Sequence, residues 1–229
     1  MTIVPAYNEE NTIYKVINSI KNDSPETDIV VINDGSKDGT SARAAEAGAV
    51  IIDLPFNLGI GGAMQTGYLY AKRNNYDIAV QVDGDGQHDP LYIKRLVEPI
   101  KKDVADMVIG SRYVTKTSYK SSLFRRAGMV LFSALVSILI RQKVMDTTSG
   151  FRAVNKKVID YFADFYPADY PEVDVLVRLN KKRFRIMELP VEMLDRQSGI
   201  SSITPLRSVY YMLKVSLSLI IGSVRANEY

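Results

Sequence analysis

The chain has 229 residues, 46% of them apolar and 24% charged, with a net charge of +3, no cysteine and one histidine, His88. These are the proportions of a folded protein large enough to bury a core. They exclude a disulfide scaffold, a thiolate metal site, cysteine catalysis and a histidine-rich zinc centre.

Strand-like sequence begins at once, at residues 2–5, so no signal peptide is expected. Asn11 is placed to cap a helix whose Ile13, Val16, Ile17 and Ile20 share one face. Residues 28–33 read as a second strand, 40–47 as a short helix ended by Gly48, and 49–54 as a third strand. A helix over 62–74 leads to a fourth strand at 78–82. Pro90 opens a helix over 91–102, and a fifth strand follows at 106–110. The strands are continuous apolar runs, as in a parallel sheet buried on both faces. This alternation predicts an α/β fold, a doubly wound and mostly parallel sheet with helices on both faces.

The second half is less regular. Residues 111–122 read as basic loop, 123–141 as a long apolar helix and 149–154 as a strand. Helices are expected near 156–162 and 173–182, a strand at 185–191, and an amphipathic or apolar helix at 205–225. The apolar runs 127–140 and 209–224 are 14 and 16 residues long, short of the roughly 20 that span a bilayer. They are expected to be core or interfacial helices. Residues 1–204 are read as one domain and 205–229 as a helix that meets a membrane or a partner.

Ligands of open parallel sheets bind beyond the carboxyl ends of the strands. The polar, glycine-rich segments all fall there: Pro5-Ala6-Tyr7-Asn8-Glu9 after the first strand, Asn33-Asp34-Gly35-Ser36 after the second, Asn57-Leu58-Gly59 after the third. Asp83-Gly84-Asp85-Gly86-Gln87-His88 follows the fourth and Gly110-Ser111-Arg112 the fifth. Turn chemistry explains any one of these loops; all five converging on one edge points to a site. Asp83 and Asp85 are two hard carboxylates that can share one cation, which selects Mg²⁺ or Mn²⁺ and implies a phosphate-bearing substrate. Neither a P-loop nor a dinucleotide-binding fingerprint is present. His88 reads as a loop residue somewhat more readily than as a substrate contact, and Asp146 and Arg152 as a buried pair.

The segments VPAYNEE, VINDGSKDGT, NLGIGGAMQTGY, QVDGDGQHDP, GSRY and TTSGFRAVNK resemble the family 2 glycosyltransferases of the GT-A fold, and within them the dolichyl- and polyprenyl-phosphate mannose and glucose synthase branch. The resemblance runs in order from Val4 to about Ser202. It implies inverting transfer of a sugar from a nucleotide diphosphate donor, UDP- or GDP-linked, with a divalent metal. Pro5, Ala6, Tyr7, Asn8, Glu9, Asp34 and Gly59 would line the nucleoside pocket; Asn33 stands where the family often has an acid. Asp83, Gly84 and Asp85 would meet the diphosphate, and Asp83, Asp85 and Gln87 the metal. Arg112 would reach a phosphate, and Arg196, Ser198 and Ser201 would close over the donor and acceptor phosphates.

The acceptor is read from charge. Residues 1–100 hold 8 basic and 14 acidic side chains, residues 101–229 hold 21 and 12, and no acid lies between Asp106 and Asp146. A polyprenyl phosphate is already ionised and needs cationic docking, for which Arg112, Arg125 and Arg126 are the candidates; a surface pair at a helix start explains Arg125 and Arg126 as readily. A hydroxyl of a lipid-linked or surface polysaccharide would need a base, for which Glu172 and Asp174 are the candidates; carboxylates favouring a helix N-terminus explain both as readily. The expected partners are a nucleotide sugar, a polyprenyl phosphate or glycolipid, a membrane surface, and a small membrane protein or a second copy of the chain, with no nucleic acid. The expected location is the cytoplasmic, inner face of a membrane. A non-catalytic nucleotide-binding subunit and a sugar nucleotidyltransferase fit less well. The first would be expected to lack a metal carboxylate or Arg196, and the second needs a glycine-rich, lysine-containing signature after the first strand.

Overall fold

A computed structural model describes residues 1–114, 132–134, 136–167 and 171–194. Seven strands form one sheet: β1 (Thr2–Ala6), β2 (Ile29–Asn33), β3 (Val50–Asp53), β4 (Ile78–Gln81), β5 (Met107–Ser111), β6 (Arg152–Asn155) and β7 (Ile186–Pro190). Their order is β3-β2-β1-β4-β6-β5-β7. All pairings are parallel except the two that β6 makes with β4 and β5. The helices are α1 (Ile13–Asp23), α2 (Thr40–Glu46), α3 (Gly59–Arg73), α4 (Ile93–Lys101), α5 (Lys156–Asp164) and α6 (Pro171–Lys181).

The two-residue period of a strand sends neighbouring side chains to opposite faces, and both faces here are apolar. Ile3, Ile32, Met107 and Ile109 join the cluster under α3, α5 and α6. Val4, Val31 and Val108 join the one under α1, α2 and α4. The strands therefore read as unbroken apolar runs, as a doubly covered sheet requires. α3 packs tightly on β1 at Gly67, where an added Cβ would stand 2.4 Å from Ile3 Cγ2.

Several boundaries differ from the sequence reading. α1 begins at Ile13 behind Thr12, not at a cap from Asn11; the turn is closed by Glu9, whose carbonyl accepts the Thr12 and Ile13 N–H groups at 3.0 and 2.9 Å. α3 starts at Gly59, three residues early. Pro90–Tyr92 is a 3₁₀ turn ahead of α4, capped by Asp89, whose Oδ1 accepts the Leu91 N–H at 3.0 Å. β6 begins at Arg152, so residues 149–151 belong to the loop before it. Of the long apolar helix expected over 123–141, the described residues 132–134 and 136–140 are helical. Phe132, Val136 and Ile140, spaced four apart, are buried in the core while Ile138 is exposed. Among the described residues no helix is long and apolar enough to cross a membrane. The terminal helix expected over 205–225 lies outside the described residues.

Candidate active site

The strand order reverses at β1: β2 and β3 lie on one side of it, and β4 on the other. Such a switch point opens a crevice at the carboxyl ends of the two central strands. The loops after β1 and β4 meet there. The Gly84 N–H donates to the Pro5 carbonyl at 3.3 Å, and a Cβ on Gly84 would stand 3.2 Å from that oxygen. A side chain at position 84 would crowd that oxygen, so glycine suits the close approach of the Asp83 and Asp85 loop to the first strand.

Both carboxylates are held from behind. Asp83 Oδ1 accepts from Gln81 Nε2 at 3.0 Å, and its N–H donates to His88 Nδ1 at 3.0 Å. His88 Nε2 faces Asp83 Oδ2 at 3.6 Å, and its ring stacks on Phe151 with centroids 4.8 Å apart. Asp85 Oδ1 accepts the Gln87 N–H at 3.0 Å, and the Gln87 carbonyl accepts from Leu194 at 2.9 Å. His88 is 5% exposed; it is a built part of the carboxylate loop rather than the loop residue of the sequence reading. Among the described residues no group of three or more His, Cys, Asp or Glu side chains could hold a metal. Two hard carboxylates alone suit a divalent cation that completes its shell with phosphate oxygens and water, as Mg²⁺ does. The donor set fits such an ion at Asp83 and Asp85.

On the other side of β1, loops after β1 and β2 are stitched together. Asn8, with a positive φ of 56°, donates its N–H to Ser36 Oγ and accepts the Lys37 N–H at Oδ1, both at 2.9 Å. The Glu9 N–H donates to Thr40 Oγ1 at 2.8 Å, and Glu9 Oε2 accepts from Thr12. Tyr7 is 46% exposed at the rim, while Pro5 and Ala6 are buried in β1. Asn33 Nδ2 donates to both Ser41 Oγ and Asp53 Oδ1 at 2.7 Å.

Three of the expected groups are engaged within the chain itself. Asp34, placed by sequence on the nucleoside, is 4% exposed and accepts the Leu58 N–H at 2.7 Å and the Gly59 N–H at 2.9 Å. Its carboxylate satisfies the first donors of α3, which is why that helix starts early; Gly59 supplies the φ of +78° the turn needs. Arg112, expected at a phosphate, sets its fork on Asp146, Nε to Oδ2 and Nη2 to Oδ1, both at 2.7 Å. The Asp146 side chain is fully buried, so it requires a paired cation. The pair expected between Asp146 and Arg152 is therefore absent; Arg152 donates to the carbonyls of Ser149 and Glu172, each at 2.7 Å.

Glu172 opens α6. Burial pushes its carboxyl above the ordinary range, with nearby Arg152 opposing and Asp83 reinforcing the shift. It thus belongs to the same electrostatic neighbourhood as Asp83. Arg125, Arg126, Arg196, Ser198 and Ser201 lie outside the described residues. Sequence reasoning missed Gln81 and Glu188; the latter accepts the Met145 and Asp146 N–H groups at 2.8 Å and so fixes the Arg112 partner. A signal for Gln81 existed: it is the one polar residue of the apolar strand IAVQ, next to the carboxylate pair.

The sequence model described as glycosyl transferase family 2 matches residues 2–162. The polyprenol monophosphomannose synthase of Mycolicibacterium smegmatis is 27% identical in an alignment that covers 94% of this chain and 85% of that protein. The undecaprenyl-phosphate mannosyltransferase of Micrococcus luteus is 30% identical, covering 89% and 87%. The UDP-N-acetylglucosamine–dolichyl-phosphate N-acetylglucosaminyltransferase of Methanococcus voltae is 31% identical, covering 83% of each. Glucosyl-3-phosphoglycerate synthase from Mycobacterium tuberculosis, solved with Mn²⁺, UDP and phosphoglyceric acid, superimposes with a TM-score of 0.72 at 23% identity, over 97% of this chain and 77% of that one. It shares the fold.

Proposed function

The chain belongs to the family 2 glycosyltransferases and has their GT-A fold; from that premise we propose that it moves a sugar from a nucleoside diphosphate sugar to a polyprenyl phosphate. The carrying observation is the carboxylate pair Asp83 and Asp85 seated at the switch point against β1, in a chain whose relatives, matched over most of their length, are named for that transfer. A phosphate oxygen of the acceptor attacks the anomeric carbon, the bond from that carbon to the diphosphate oxygen breaks, and the nucleoside diphosphate leaves with the electron pair. The acceptor is ionised at neutral pH, so no residue need take its proton.

The chain's own groups then have distinct tasks. Asp83 and Asp85, with Gln87 beside them, would hold Mg²⁺ or Mn²⁺, which when bound offsets charge on the departing diphosphate. Tyr7, Asn8 and Glu9 border the crevice where the nucleoside would lie. Asp34 and Asn33 shape that wall from behind, through backbone and side-chain bonds. Arg112 keeps the segment from Asp146 to Thr148 in register beside the site. Arg125, Arg126, Arg196, Ser198 and Ser201 are assigned to the acceptor and donor phosphates. Residues 1–204 would form the catalytic domain, and 205–229 a helix that docks on lipid or on a protein partner, holding the enzyme at the inner face of a membrane.

One observation favours a second reading, transfer to a glycan hydroxyl: the raised carboxyl of Glu172 near Asp83 is suited to accept a proton. The test is a panel of radiolabelled UDP- and GDP-sugars offered with polyprenyl phosphate or with a glycolipid, each with and without EDTA. Label that enters the polyprenyl phosphate only, and only with metal, is expected. Label that enters the glycolipid alone, and is lost in Glu172→Gln, establishes the second reading.

A further inference from the structure

The geometry points to Gln81 and His88 as a clamp that sets the direction of the Asp83 carboxylate, making them positioning residues for the divalent ion; this rests on the metal reading above. Gln81 is 4% exposed at the end of β4, and its Nε2 donates to Asp83 Oδ1 at 3.0 Å. A polar side chain inside an apolar strand is costly unless its donors are used, and this one is aimed at the carboxylate. His88 reaches over the other side. Its Nδ1 accepts the Asp83 N–H at 3.0 Å, which leaves the ring proton on Nε2, facing Asp83 Oδ2 at 3.6 Å. The imidazole cannot swing away, because it lies parallel to Phe151 at an interplanar angle of 10°.

A third wall comes from the loop before β6. A Cβ on Gly150 would stand 2.8 Å from Gln81 Nε2 and 3.2 and 3.3 Å from the two Asp83 oxygens. Carboxylate, amide and glycine are therefore packed close together, and a side chain at position 150 would crowd both Asp83 oxygens. Groups that orient a ligating carboxylate govern affinity without touching the ion, and their loss typically costs about 10- to 100-fold in metal binding.

The experiment titrates Mn²⁺ onto the full chain in the presence of uridine or guanosine diphosphate, and reads free Mn²⁺ by electron paramagnetic resonance. Gln81→Met keeps the shape and removes the donor; His88→Phe keeps the stack and removes both nitrogens; His88→Asn restores an acceptor for the Asp83 N–H. Asp85→Asn is the control for the metal site, and metal-free thermal melts check folding of every variant. The clamp predicts roughly tenfold or weaker Mn²⁺ affinity in Gln81→Met and His88→Phe, with partial recovery in His88→Asn and unshifted melts. Affinity within twofold of wild type in both Gln81→Met and His88→Phe, while Asp85→Asn loses binding, overturns the clamp and leaves the metal site standing. Wild-type affinity in Asp85→Asn overturns the metal reading and the clamp with it. Should Gln81→Met fail to fold, His88→Phe and its recovery in His88→Asn decide the matter alone.

Discussion

Arg112 separates a residue that shapes the site from one that touches substrate. Its guanidinium and backbone N–H supply three bonds to Asp146, at 2.7, 2.7 and 3.0 Å, and the Asp146 side chain has no exposed surface. Arg112→Met keeps a long apolar stem and strands that carboxylate. Removing one partner of a buried ion pair costs about 3–5 kcal/mol. In a chain of this size each kcal/mol lowers the melting midpoint by about 2–4 °C, so the variant should melt about 6–20 °C below wild type. Adding Asp146→Asn removes the stranded charge, so the double variant should melt above the single one, with a coupling of about 2 kcal/mol or more. Circular dichroism melts of the four proteins measure this directly. A single variant that melts within about 2 °C of wild type while sugar transfer collapses would refute the reasoning, and would return Arg112 to a substrate phosphate.

Three further outcomes are expected. Asp85→Asn should cut transfer by orders of magnitude and leave the melt close to wild type, since the amide oxygen can still accept the Gln87 N–H; full turnover of the wild type in EDTA would contradict this. Gly67→Ala should destabilise by about 1–3 kcal/mol in urea, because its methyl would overlap Ile3 where α3 meets β1; an unchanged midpoint would mean that the helix shifts freely. Bonds from Arg185 hold the Asp106 carboxyl at about 2, down from 3.8. A depressed carboxylate contributes stability above its unfolded pKa and loses it as pH falls from about 4 to about 2. Arg185→Met lacks much of that contribution, so it should unfold at higher pH on acidification; coincident acid-unfolding curves would count against the pair.

The first five strands were legible because their signals are local: apolar runs of four or five residues bounded by glycine, proline and acids. β6 was visible only in part. Its four residues carry little pattern of their own, and its place between β4 and β5, reversed, depends on partners more than 40 residues away in the chain. The loop residues were legible as a set but not one by one. Composition and spacing indicate that Asp34, Arg112 and Asp146 are polar groups near a sheet edge; they do not say which will be satisfied by the chain itself. Asp34 found two backbone donors at residues 58 and 59, and Arg112 a carboxylate at residue 146. Asp83 and Asp85 were legible because a carboxylate pair one residue apart after a buried strand has few structural uses.

The reversed direction of β6 has a consequence for how this enzyme can diversify. β5 runs up to the crevice and ends there at Ser111, and β6 starts from the same rim at Arg152 and runs down. The two ends of the excursion between them meet at that rim, where Ser149 Oγ donates to the Gly110 carbonyl at 2.6 Å. Closing such an excursion costs only about 0.6 kcal/mol more for each doubling of its length. Phe132, Val136 and Ile140 are tied into the core, so the sequence free to lengthen, shorten or change composition without moving a strand is the basic stretch ahead of them; the proposed acceptor contacts can then drift among relatives while Asp83 and Asp85, the proposed cation ligands, keep their places.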